Sequence, residues 1–228
     1  PPDSATALPW LTPSAGAGAS RLRFPRVAAT ALRTLPIVSD VRAVEELVKH
    51  GARDVQMRMK DAPSHAVREA VREAQAICAA HNARLWVNDH WPIALECGVY
   101  GVHLGQEDLA AMSEEARAQL AASGLRLGIS THTFAELCAA LALRPSYISL
   151  GPVFETSSKR VPFAPQGVEG VSRWRRLIPA DTPLVAIGGL TLDNAPAVLE
   201  AGADGVSVIG AVAKDFGAIR TWNALFPA

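Results

Sequence analysis

The chain has 228 residues, 49% of them hydrophobic, with 22 Lys and Arg against 22 Asp and Glu. That length and apolar content suffice for one sizeable core. The zero formal charge argues against wholesale binding to nucleic acid or to an anionic membrane, while leaving room for a local basic pocket.

Residues 1–33 are rich in Ala, Pro, Ser and Gly and lack the long apolar stretch of a signal peptide. They read as an extension or linker, with a helical tendency around Arg26–Arg33, ahead of a domain spanning 34–228. A start at Pro1 is compatible with a further fused domain upstream. From Leu35 onward, β-rich runs alternate with longer amphipathic ones. In order these are a strand at Leu35–Val38, a helix near 41–50, a strand at Asp54–Met59, a helix at 64–82, a strand at Arg84–Val87 and a helix at 90–97. Next come a strand at Gly101–Leu104, a helix at 113–122, a strand at Leu125–Ile129, a helix at 133–142, a strand at Tyr147–Leu150 and a helix at 168–177. A strand at Leu184–Ile187, a helix at 191–201, a strand at Gly205–Ile209 and a helix at 213–224 complete the series. Eight βα units in about 190 residues predict a TIM (β/α)8 barrel, with its active site at the C-terminal strand ends. A doubly wound open sheet is the alternative. The count of eight, and the lack of a Gly-rich fingerprint after the first strand, disfavour it.

Apolar runs are too short and interrupted for a transmembrane helix. Cys78, Cys97 and Cys138 are far apart and odd in number, and read as buried free thiols in a reducing, cytoplasmic setting.

The strand ends carry the chemistry. Gln56, Arg58 and Lys60, spaced by two, share one face of the second strand. Two cations and an amide facing a core make sense beside an anion; the alternative is a solvated edge. Asn88 and Asp89 end the third strand, and Asp108 follows the fourth. Two carboxylates at adjacent strand ends can hold Mg²⁺ together with water and phosphate oxygens. Taken singly, each acid is equally a helix N-cap, Asp108 especially. His103 is either a buried hydrogen-bonding group or a substrate contact, and His90 and His132 have no metal-ligand spacing. Ser130 ends the fifth strand. After the sixth comes a long loop bearing Thr156, Ser158 and Lys159, of the kind that forms lids and binding loops. Gly188 and Gly189 end the seventh strand, and Val208 and Ile209 the eighth. Loops in these two places make the common phosphate site of such barrels, where glycine lets backbone approach an anion and a helix N-terminus adds N–H donors.

From about Leu35 to Phe226 the chain resembles the thiamine phosphate synthase family. The resemblance rests on Gln56-x-Arg58-x-Lys60, Val87-Asn88-Asp89 and the run Gly101-Val102-His103-Leu104-Gly105-Gln106-Glu107-Asp108. It rests further on Gly128-Ile129-Ser130-Thr131-His132-Thr133, on Gly151-Pro152-Val153-Phe154 with Thr156 and Lys159, and on Ile187-Gly188-Gly189. It implies coupling of 4-amino-2-methyl-5-hydroxymethylpyrimidine diphosphate to a thiazole phosphate, carboxylated or not, with release of diphosphate. By position it implies Mg²⁺ on Asp89 and Asp108. The pyrimidine diphosphate falls to Gln56, Lys60, Asn88 and Lys159, with Arg58 near and His103 among the contacts. The thiazole phosphate falls to Thr156, Ser158, Gly188, Val208 and Ile209. Lys60, Ser130 and Lys159 stand nearest the reaction. The partners implied are small molecules, with a homo-oligomer left open. Two alternatives remain: a thiazole tautomerase of the same fold, disfavoured by the presence of Asp108, and a non-catalytic phosphate-binding barrel, disfavoured by the intact polar strand ends.

Overall fold

A computed structural model describes residues 22–156 and 163–227. Eight strands, β1 (Thr34–Val38), β2 (Asp54–Met57), β3 (Arg84–Asn88), β4 (Gly101–Leu104), β5 (Arg126–Thr131), β6 (Tyr147–Leu150), β7 (Leu184–Ile187) and β8 (Gly205–Val208), form a closed barrel in chain order. All neighbours are parallel, and β8 returns to β1 with Thr34 opposite Val206. Around them lie α1 (Val41–Lys49), α2 (Ser64–Ala80), α3 (Trp91–Cys97), α4 (Gln106–Ala111), α5 (Glu114–Ala122), α6 (Phe134–Ala142), α7 (Gly167–Leu177), α8 (Ala195–Glu200), α9 (Gly210–Ala213) and α10 (Ile219–Asn223). The expected TIM barrel is the fold.

Four local readings change. The second strand stops at Met57, so Lys60 lies past it and is exposed, although Arg58 still donates its N–H to Val38 O at 2.8 Å. The fifth strand runs on through Ser130 and Thr131, carrying both into the ladder. Asp108 sits inside α4, a helix the hydrophobic pattern does not announce because only Leu109 of its six residues is buried. The final helix divides into α9, a short 3₁₀ turn at Phe216–Ala218 and α10. Of the thiols, Cys78 is buried, but Cys97 is half-buried and Cys138 exposed.

Strands buried on both faces need two apolar sets, one for the helices and one for the barrel interior. The outer set includes Val55, Val87, Val102, Leu127, Ile148 and Val206. The inner set is led by Leu35, Trp86, Tyr147 and Val185. Two glycines make this inner layer possible: a Cβ at Gly101 would enter the Trp86 ring, and one at Gly128 would enter the Tyr147 ring. Trp86 and Tyr147 then meet edge to face at 5.1 Å. Below them Asp54 accepts from Trp86 Nε1 at 2.9 Å and pairs with Arg84; burial nevertheless raises its pKa.

Residues 22–33 lie across the N-terminal end of the barrel. Val27 and Leu32 join the inner cluster, the Ser146 hydroxyl donates to Pro25 O at 2.6 Å, and a 3₁₀ turn occupies Ala29–Ala31. These contacts cover part of the barrel floor.

Candidate active site

The mouth is built in three parts. The first joins β2, β3 and α4. Asp89 follows β3 with φ at 65°, a left-handed conformation that Asp tolerates better than most residues. Its backbone N–H donates to His103 O at 2.9 Å. Asp108 is the third residue of α4, and its Oδ2 accepts the Gly105 N–H at 2.9 Å. Asp108 therefore does cap the helix, from within rather than as the N-cap, and its carboxyl also lies within hydrogen-bonding reach of Asp89. Burial, then the Asp108 charge, push the Asp89 carboxyl up to about 6; Arg58 and His90 pull it the other way. Two crowded carboxylates, one of them raised by the other, are a donor set that a hard divalent cation relieves. Among the described residues no cluster of three or more His, Cys, Asp or Glu forms a fuller metal cage. Two carboxylates alone could hold such a cation only with water and ligand oxygens completing its shell.

The second part is a buried polar chain across the barrel. Gln56 on β2 donates from Nε2 to the Tyr147 hydroxyl at 3.5 Å. The Tyr147 oxygen lies 2.6 Å from His103 Nδ1, and His103 Nε2 lies 2.8 Å from Ser130 Oγ. His103 and Tyr147 also stack, with centroids 5.6 Å apart. Asn88 stands opposite His103 in the β3–β4 register. Gln56, Asn88 and His103 are all buried, as an inward face requires. Burial holds the Tyr147 phenol well above its ordinary pKa, so it stays protonated.

The third part is a cavity of about 370 Å³. Ser130, Thr156, Gly188, Val208 and Ile209 all line it. Gly188 and Gly189 have φ of 101° and 64°, and a Cβ on Gly188 would meet Pro152 Cα at 2.7 Å. The glycines therefore serve the close approach of the β6 and β7 loops, sealed by Phe154 N–H donating to Gly188 O at 3.0 Å. That fold of backbone forms the cavity wall.

The sequence-predicted residues thus fall into two groups joined by Ser130. Arg58, Asp89 and Asp108 lie with the carboxylate pair, and Gln56, Asn88 and His103 lie beneath it. Thr156, Gly188, Val208 and Ile209 wall the cavity. Lys60 is an exposed residue near the rim. Ser158 and Lys159 lie outside the described residues. Sequence reasoning missed Tyr147, placed only as the first residue of a strand, and Gln106, whose Nε2 donates to Ser130 O at 2.6 Å and anchors that residue's backbone. The strand alternation Tyr147, Ser149 was the available signal, since Ser149 also lines the cavity. The other two histidines near the strand ends are placed by neighbours: His90 Nε2 bonds Met59 O, and His132 bonds Glu136 through Nδ1 while stacking on Phe163.

Comparison with known proteins identifies the family. The family model described as thiamine monophosphate synthase matches residues 33–212. The thiamine-phosphate synthases of Shigella boydii and Escherichia coli K12 are each 46% identical over 179 residues, covering 78% of this chain and 83% of theirs. The solved thiamine phosphate pyrophosphorylase of Pyrococcus furiosus superposes with a TM-score of 0.73 at 29% identity, over 88% of this chain and 99% of its own. Matched by that family model across all eight strands, and 46% identical to these synthases over 78% of its length, the chain belongs to the thiamine monophosphate synthase family.

Proposed function

We propose that the chain is a thiamine-phosphate synthase, a transferase that joins 4-amino-2-methyl-5-hydroxymethylpyrimidine diphosphate to 4-methyl-5-hydroxyethylthiazole phosphate. The observation that carries this is the carboxylate pair Asp89–Asp108 beside Arg58, at the same C-terminal barrel mouth as the cavity that Ser130 and Gly188 line. One side suits a metal-bound diphosphate and the other a second phosphorylated ligand.

The C–O bond between the pyrimidine methylene and diphosphate breaks, the thiazole nitrogen attacks the methylene, and diphosphate leaves. When bound by Asp89 and Asp108, Mg²⁺ supplies neutralisation of the charge that develops on the diphosphate. Arg58 adds a fixed positive charge on the same side, with Lys60 and, by resemblance, Lys159 reinforcing it. Gln56 and Asn88 orient the aminopyrimidine from the buried floor, and Thr156, Gly188, Val208 and Ile209, with Ser158 by resemblance, seat the thiazole phosphate. No strong general base is needed, because the nucleophile is an unprotonated ring nitrogen; holding two substrates in line supplies much of the rate. We take the functional domain as 34–228, with residues 22–33 of the preceding extension packed beneath it as part of its core. Among the described residues no helix is long and apolar enough to cross a membrane, and the charged, small substrates suit a cytoplasmic enzyme.

The test is turnover by the purified chain given both substrates with and without Mg²⁺. Thiamine phosphate and diphosphate should appear in equal amounts and only with the metal. Isomerisation of the thiazole phosphate alone would support a tautomerase, and saturable binding without turnover a non-catalytic barrel.

A further inference from the structure

The chain Gln56–Tyr147–His103–Ser130 can be polarised in either direction, and the two directions give Ser130 opposite characters. If hydrogens run from Gln56 toward Ser130, the serine oxygen accepts from His103 and its own O–H is turned away, toward the cavity it lines. If they run the other way, Ser130 spends its hydrogen on His103 and offers only lone pairs.

The distances choose between these. Tyr147 and His103 Nδ1 are 2.6 Å apart, shorter than the usual N–H···O range and inside that for an O–H donor. His103 Nε2 and Ser130 Oγ are 2.8 Å apart, an ordinary N–H···O length. The phenol is also the stronger acid, hence the better donor, and its oxygen already receives the Gln56 amide. A neutral imidazole that accepts at Nδ1 carries its proton at Nε2. The ring cannot swing away, because it stacks on Tyr147, whose own ring is locked in the space left by Gly128.

We propose that Tyr147 is a positioning residue whose phenol fixes His103 as the Nε2–H tautomer and so makes Ser130 present a hydrogen-bond donor, not an acceptor, to the bound substrates. This rests on the reading of Ser130 as lining the reacting centre. It explains why a tyrosine, rather than phenylalanine, fills the inner layer at a depth where its hydroxyl must be satisfied.

Nitrogen NMR of the full chain with ¹⁵N-labelled histidine tests it, with His103→Gln identifying the resonances. Wild-type protein should show a pyridine-type Nδ1 and a pyrrole-type Nε2 at His103. Tyr147→Phe should mix the tautomers and lower kcat roughly tenfold to a hundredfold, by analogy with loss of the partner that orients a metal-bound histidine. KM for both substrates should stay within about twofold, because the contact acts through Ser130 rather than on ground-state binding. A pyrrole-type Nδ1 in wild-type protein would overturn the proposal. So would a Tyr147→Phe variant that keeps the Nε2–H tautomer and full kcat. Should that variant fail to fold, the wild-type spectrum alone decides. A wild-type chain without turnover would sink the synthase reading instead, and the nitrogen shifts would still settle the tautomer.

Discussion

Asp89 is a residue whose stability and binding roles oppose each other. Burial and the neighbouring Asp108 charge raise its carboxyl from 3.8 to about 6 in the metal-free chain. A carboxyl raised on folding stabilises the folded state only while protonated, so its contribution is full below about 4 and lost as pH climbs through about 6. Asp89→Asn should therefore raise the melting temperature of metal-free protein at pH 7.5. Solvent screening at this half-buried site holds the gain to about 1 kcal/mol, or about 2–4 °C. The same substitution should abolish Mg²⁺-dependent turnover; calorimetry beside the coupled assay reads both, and a drop in melting temperature would contradict the repulsion argument. Affinity for Mg²⁺ should weaken as pH falls through about 6, with about half a proton released per ion bound at that pH. Asp89 and Asp108 were legible as a pair because each follows the C-terminal end of one of two adjacent strands, where a barrel gathers its site. Tyr147 was not, because an aromatic residue in a β-rich run looks like core, and its hydroxyl gains a role only once β4 and β5 bring His103 and Ser130 beside it.

At the scale of elements, the loops after β6 and β7 depend on each other. A side chain on Gly188 would need both a positive φ and space already held by Pro152. Gly188→Ala should push the two loops apart, costing about 1–3 kcal/mol in stability. It should raise KM for the thiazole phosphate more than KM for the pyrimidine diphosphate, since the proposed arrangement seats only the former against this wall. Steady-state kinetics with each substrate varied in turn checks the asymmetry, and an equal rise in both would move the thiazole site elsewhere. The GG pair was visible in the sequence, but its reason was not: the expected approach of backbone to an anion is joined by an approach of backbone to backbone. Helix α4 escaped notice for a related cause. It is short and polar on most of its surface, and is held by the Asp108 cap rather than by an apolar stripe.

For the whole molecule, the eight-fold alternation foretold the barrel, because each strand–helix unit repeats the same two periodicities and no other closed arrangement of eight parallel strands is common. What alternation cannot show is how the floor is packed. Leu32, ahead of the first strand, is fully buried in the inner cluster, and Leu32→Ala should cost about 2–5 kcal/mol while leaving kcat nearly unchanged at temperatures where the protein stays folded.

The mouth, by contrast, should stabilise the fold only when its parts are filled together. Inorganic diphosphate and Mg²⁺ share one site in this reading: the two carboxylates hold the metal weakly alone, and Arg58 holds the anion weakly alone. Each should therefore raise the other's affinity, and the coupling must be reciprocal because it is a single free energy. At a hundredfold excess over the dissociation constant the pair should add about 2.7 kcal/mol to stability, near 5–10 °C for a barrel of this size. Either component alone at the same concentration should add much less. Thermal unfolding with diphosphate, Mg²⁺ and both reads the coupling directly. In Asp108→Asn the excess stabilisation should vanish, while the shift from diphosphate alone stays or grows slightly, since one negative charge has left the rim. Equal and additive shifts in wild-type protein would mean that metal and anion occupy separate places, and the carboxylate pair would then lose its part in diphosphate departure.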